Sequence, residues 1–244
     1  MKGQFSCPFI FLLFTLLYKY IISRRLFNEL FFFLLLYIFL IPTTYFEHIS
    51  SLLYPIFKFL TSLCFLLCGY WGFKNSSASI EYSLPIIIGL FFGLLGDVAI
   101  ILPISSSFIL GALSFAIGHL FFIKAFTALN PLCKKDFFLI TISFLIFALF
   151  IIKFKYFDFN NLLPVVLIYG LIILTMVIKS INLLGNNVLR KIQLYTIILG
   201  SVLFTISDFI LLFVKFYPNC PEILNSLSLI TYYTGQALIA LSLS

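Results

Sequence analysis

A chain of 244 residues that is 63% hydrophobic and only 9% charged lacks the polar surface of a soluble globule, since soluble domains carry about 25% charged residues. The net charge of +7 belongs to loop lysines and arginines that set orientation in a membrane, and it gives no reason to expect nucleic acid as a partner. Five scattered cysteines, Cys7, Cys64, Cys68, Cys133 and Cys220, form no disulfide framework, and Cys64 and Cys68, one turn apart, read as small packing residues.

At about 20 apolar residues per crossing, the chain divides into nine segments, near residues 5–22, 29–46, 49–72, 83–103, 106–126, 136–153, 162–180, 191–215 and 225–243. Breakers stand between them, among them Asn75-Ser-Ser, Asn130-Pro131, Asn160-Asn161, Gly185-Asn-Asn, and Pro218 with Pro221. The expected fold is all-α, a polytopic transmembrane bundle of eight or nine helices with no soluble domain. Residues 1–28 form an extra N-terminal segment. It is signal-like, but no small-residue cleavage site follows before Lys19, so a retained helix is expected. Residues 29–244 form the bundle. Ten lysines and arginines, Lys179 among them, fall on one side of the segments, and Lys2, Lys153, Lys155 and Lys215 on the other. The positive-inside rule places the first group and the C-terminus in the cytoplasm. The expected location is the inner membrane of a bacterium.

Ionisable side chains within a span are costly and mark function by default. Lys58, Asp97 and Asp208 are the three that stand out, with His119 a fourth. Asp97 ends GLFFGLLGD and Asp208 ends GSVLFTISD. Each Asp follows a small residue and has a Gly eight positions upstream, on nearly the same helix face, so each is expected to point into the bundle. The parallel suggests a duplication of the segments from 29 to 126 in those from 136 to 243. At about 1.5 Å per residue, Asp97 and Asp208 both fall roughly 20 Å from the cytoplasmic edge of a ~30 Å core. Lys58, Tyr169, Tyr232, Tyr233 and Gln236 fall in the outer half or near the middle, and His119 falls about 10 Å lower. A single polar level fed by five helices is therefore expected. Read structurally, the same residues are a neutralising lysine and hydrogen-bonding glue between helices.

The ordered set of motifs is Lys58, GLxxxxxGD (Gly89 to Asp97), Gly118-His119, Tyr169, GxxxFxxSD (Gly200 to Asp208) and TYYxxQxLIxLS (Thr231 to Ser242). It resembles the YhhN family, which includes lysoplasmalogenases, over residues 50–244. Two departures are Phe59 after Lys58, where the family usually has proline, and the extra first segment beside a family core of eight helices. The resemblance implies hydrolysis of the vinyl ether of a 1-alkenyl lysophospholipid. The products would be a fatty aldehyde and glycerophosphoethanolamine or glycerophosphocholine.

Vinyl ethers break by protonation of the alkene carbon, and water then captures the oxocarbenium ion. Two carboxyl groups in different environments suit this, as in glycoside hydrolysis. Asp97 and Asp208 are the expected catalytic pair, the one farther from Lys58 carrying the proton. Lys58 could neutralise an Asp or hold the lipid phosphate. Tyr169, Tyr232, Tyr233, Gln236 and His119 are candidates for binding substrate or orienting water. No cofactor or metal is expected: a catalytic zinc wants three protein ligands, and the chain has two histidines. No GxSxG nucleophile motif is present. The competing readings are a proton-coupled transporter of small molecules or lipid and a non-catalytic lipid-binding protein of the same fold. The partners expected are the lysophospholipid substrate and membrane lipid, with the oligomeric state open.

Overall fold

A computed structural model describes residues 27–244 apart from 48, 77, 186 and 187. Within a bilayer, backbone donors and acceptors must be satisfied internally, which leaves helices as the form for these apolar runs. Eight are present, and no strand occurs among the described residues. They are α1 (Phe27–Phe46), α2 (Leu53–Asn75), α3 (Ile80–Ile101), α4 (Ser107–Leu129), α5 (Lys134–Lys153), α6 (Leu163–Ile181), α7 (Lys191–Phe216) and α8 (Ile223–Leu241). The segment expected at 5–22 lies outside the described residues. Hydroxyls within the helices bond back to the preceding turn, as Thr43 does to the Phe39 carbonyl and Thr61 to that of Phe57 (both 2.7 Å), so they add no unsatisfied group.

Seven helices, α1 to α7, are long and apolar enough to cross a membrane, which makes the chain a multi-pass membrane protein. Helix α8 is not among them. Its sequence holds Asn225, Ser226, Ser228, Thr231, Tyr232, Tyr233, Thr234 and Gln236. Its surroundings explain this: α8 packs against α1, α2, α3 and α7, and its residues from Tyr232 to Ala240 are mostly buried. A helix enclosed by other helices can carry polar groups that lipid would penalise.

The two halves repeat one packing order. Helix α1 packs on α2, α2 on α3 and α3 on α4; α5 packs on α6, α6 on α7 and α7 on α8. Across the halves, α8 packs on α2 as α4 packs on α6. Glycine contacts make the tightest crossings equivalent. A Cβ on Gly118 would stand 3.0 Å from the Gly89 carbonyl oxygen, joining α4 to α3, and one on Gly200 would stand 2.8 Å from that of Gly235, joining α7 to α8. Close approach of this kind is the use of small residues in membrane helix packing. The halves differ in one respect: α8 also packs on α1 and α3, whereas α4 has no comparable packing on α5 and α7. A cavity occupies that gap.

Lys179 departs from its expected role among the topology-setting charges. It is fully buried, 2.9 Å from Asp136, which is buried as well. Lys179 also donates to the Pro131 carbonyl (3.1 Å), and Asn182 donates to the other Asp136 oxygen. The pair ties the α4–α5 turn to the end of α6.

Candidate functional site

The expected site residues divide into two clusters rather than one. In the first, Lys58 of α2 puts its ammonium 3.3 Å from Asp97 Oδ1 of α3, with side-chain exposures of 5% and 2%. The other Asp97 oxygen accepts from the Ser62 hydroxyl (2.7 Å) and the Tyr232 hydroxyl (2.8 Å). Tyr233 donates to the Lys58 carbonyl (3.3 Å) and lies 3.2 Å from Ser62 Oγ. Tyr54, one turn before Lys58, meets the ammonium with its hydroxyl at 3.4 Å. Each charge therefore has a counter-charge and neutral hydrogen bonds, the condition for keeping an ion pair out of water. Gln236 is buried with its amide nitrogen end against Gly93, where any Cβ would meet it at 2.6 Å. Its carbonyl oxygen has no hydrogen-bond partner among the described residues.

In the second cluster, Asp208 of α7 accepts from the Tyr169 hydroxyl of α6 at 2.6 Å. The same hydroxyl lies 3.0 Å from His119 Nε2 of α4, and Nε2 is 3.5 Å from Asp208 Oδ2. His119 is fully enclosed, while the Asp208 side chain keeps 10% exposure. No lysine or arginine pairs with Asp208 among the described residues. Counting residues along upright helices puts His119 below the carboxylates. The structure brings it beside Asp208, because α7 runs for 26 residues and depth along so long a helix is not height across a membrane.

Phe204 and Phe115 separate the clusters. The ring of Phe204 packs edge-on against Tyr232 (centroids 5.1 Å apart) and against His119 (4.5 Å), and Phe115 lies 5.6 Å from Tyr232. Asp97 and Asp208 share no hydrogen-bond partner among the described residues. The arrangement of one carboxylate per half is still repeated. Lys58, Gly89 and Asp97 stand at the same mutual intervals as Tyr169, Gly200 and Asp208, and both partner pairs lie 39 residues apart in the chain.

The cavity, of about 120 Å³, lies between α4, α6 and α7, with walls from α3 and α5. Its lining is aliphatic and aromatic, including Phe115, Phe147, Val166, Ile173 and Leu212. Tyr169, Thr205 and Asp208 are its polar members, and Asp208 supplies its single carboxyl group. Lys58, Asp97, Tyr232, Tyr233 and Gln236 do not line it. An apolar pocket with a few convergent polar groups is the usual form of a small-molecule site, and this one offers a proton donor or acceptor to an apolar ligand.

Reading the sequence missed Ser62, Met176 and the Asp136–Lys179 pair. Ser62 stands four residues after Lys58 and Met176 seven after Tyr169, spacings that share a helix face. Nothing local distinguished Lys179 from a loop lysine.

Searches among curated proteins and among solved structures returned no match. A family model described as YhhN family matches residues 53–243, from the start of α2 to the residue after α8's C-cap. That span holds Lys58, both Asp motifs, His119, Tyr169 and the Tyr232-Tyr233 helix, and the chain belongs to the YhhN family.

Proposed function

We propose that this membrane protein hydrolyses the vinyl ether bond of 1-alkenyl lysophospholipids, releasing a fatty aldehyde and the glycerophospho-alcohol. The observation that carries the reading is a lone carboxylate, Asp208, set in the wall of an apolar cavity and hydrogen-bonded by Tyr169. Family membership supports a hydrolase of this kind. The cavity takes the vinyl ether and the first carbons of the alkenyl chain, whose remainder runs out between helices into lipid.

In this reading Asp208, protonated, gives its proton to the alkene carbon remote from the ether oxygen. The π electrons form the new C–H bond, and the ether oxygen shares the positive charge left on its own carbon. Water adds to that carbon, and Asp208, now a carboxylate, takes the water's proton. The hemiacetal then collapses: Asp208, holding water's proton, gives it to the glycerol oxygen as the bond from that oxygen to carbon breaks, and takes the hemiacetal hydroxyl proton as the aldehyde C=O forms, which returns Asp208 to its protonated state. One carboxyl serves as acid and then as base. Lys58 does not face the cavity and is not assigned the lipid phosphate. Asp97, held by Lys58, is assigned a positioning role: it fixes Tyr232, whose ring backs Phe115 and Phe204 behind the cavity.

The test is hydrolysis by the purified protein in D2O. The aldehyde should carry one deuterium at the carbon next to the carbonyl, and Asp208→Asn should slow its release by about 10²–10⁴-fold. Aldehyde without that deuterium would overturn the mechanism. Substrate-dependent proton flux in liposomes with no aldehyde would favour the transporter.

A further inference from the structure

His119 is fully buried, yet the reaction just described leaves it without a task. Both ring nitrogens have partners. Nδ1 lies 3.2 Å from the Met176 sulfur, and Nε2 lies 3.0 Å from the Tyr169 hydroxyl. A thioether sulfur has lone pairs and no hydrogen, so it only accepts. Nδ1 must therefore carry a hydrogen, which in the neutral ring leaves Nε2 as the acceptor.

Tyr169 has one hydroxyl hydrogen and stands between two sites, Asp208 Oδ2 at 2.6 Å and His119 Nε2 at 3.0 Å. Two arrangements satisfy every donor. In one, the Asp208 carboxyl is protonated and donates to the Tyr169 oxygen, and Tyr169 donates to Nε2 of a neutral imidazole. In the other, Tyr169 donates to the Asp208 carboxylate, and Nε2–H of an imidazolium donates to Tyr169. They differ by passage of one proton along the hydroxyl: the Nε2–H bond breaks as a Tyr169 O–H forms, and the old Tyr169 O–H breaks as an Asp208 O–H forms. Nδ1–H faces Met176 in both. Tyr169 from α6 and Asp208 from α7 are the titratable groups against the ring. Phe122 of α4 and Phe204 of α7 cover its remaining sides, with centroids at 6.3 and 4.5 Å.

The geometry points to His119 as the proton reservoir of Asp208, loaded and emptied through Tyr169, with Met176 fixing the tautomer that keeps Nε2 open. His119 and Met176 are positioning residues in this scheme, since neither touches the substrate. The scheme rests on the reading that Asp208 is the acid. It adds that the proton Asp208 regains from water is shared with His119 through Tyr169, so that the carboxyl can stand ready as acid or as carboxylate.

The chain has two histidines, so His48→Gln leaves a single imidazole to follow by 15N NMR in detergent or bilayers. The expected result is a neutral His119 protonated at Nδ1. Met176→Leu, which keeps the volume and removes the lone pairs, should let the other tautomer appear. Asp208→Asn, which removes the group that trades a proton with Nε2, should leave only the neutral Nδ1–H form, and Tyr169→Phe should uncouple the two groups. In hydrolysis assays His119→Gln should lower kcat by about 10²-fold, and Met176→Leu should lower kcat with KM unchanged. A neutral Nε2–H tautomer in the parent, or one unmoved by Met176→Leu, would sink the relay even where aldehyde is released. The expected tautomer in a protein that hydrolyses no vinyl ether would instead remove the substrate reading and leave the relay standing.

Discussion

Lys58 lies 3.3 Å from Asp97, and both side chains are almost wholly enclosed, so removing either charge strands the other. Breaking a buried pair costs about 3–5 kcal/mol, whereas replacing both members by apolar groups of similar size is often neutral. Lys58→Met should therefore lower the thermal stability of the solubilised protein strongly, and adding Asp97→Leu should recover most of the loss. A single variant as stable as the parent would mean that the pair is open to water. At Asp208 the expectation is reversed. Its side chain sits at a cavity wall, so Asp208→Asn should keep the unfolding temperature and lower kcat by about 10²–10⁴-fold, the usual contribution of a general acid. That these positions put ionisable groups inside apolar spans was legible in the sequence, because charges are rare there. Which residue met which was not. Counting along the chain gives distance along a helix, and only packing decides that Tyr169 and His119 go to Asp208 while Tyr232 and Ser62 go to Asp97.

Gly200 and Gly235 sit where α7 and α8 touch backbone to backbone. A Cβ on Gly200 would meet the Gly235 carbonyl at 2.8 Å and the Ile239 backbone nitrogen at 3.1 Å, and neither atom can give way without the helices parting. Gly200→Ala should therefore cost about 1–3 kcal/mol, the range for overpacking, measured as a lower unfolding midpoint in denaturing detergent. Gly69→Ala is the contrast: the nearest atom there is Leu90 Cδ1 at 2.4 Å, the far end of a flexible side chain that can turn aside. Equal losses at the two positions would show that side-chain crowding, not backbone approach, sets the cost. At this scale the apolar runs and their breakers brought seven spans into view, because lipid demands about 20 apolar residues of each helix that faces it. Helix α8 came into view from its length, yet its polar face is explained only by its four neighbours in the bundle.

The two halves share an order of packing and a partnered Asp, and they differ in how the space around that Asp is filled. In the first half α8 closes on α1 and α3, and an ion pair occupies the centre. In the second half α4 stands away from α7, and the cavity opens beside Asp208. The fold thus keeps one polar centre sealed and leaves the other beside a cavity. If the substrate chain lies in that cavity, filling the cavity should block hydrolysis without unfolding the protein. Ala112 of α4 lines it, across from α6 and α7. Replacing it with phenylalanine puts a ring into the cavity, against a wall already rich in aromatic side chains, so the unfolding midpoint should hold. The barrier falls on the alkenyl chain, so Ala112→Phe should lower kcat/KM most for long-chain lysophospholipids and least for short-chain analogues. The comparison is made on one detergent-solubilised preparation with a chain-length series and an unfolding curve. An unchanged chain-length profile in a normally folded variant would move the substrate away from Asp208 and reopen the sealed half, with Asp97 at its centre, as the place to look.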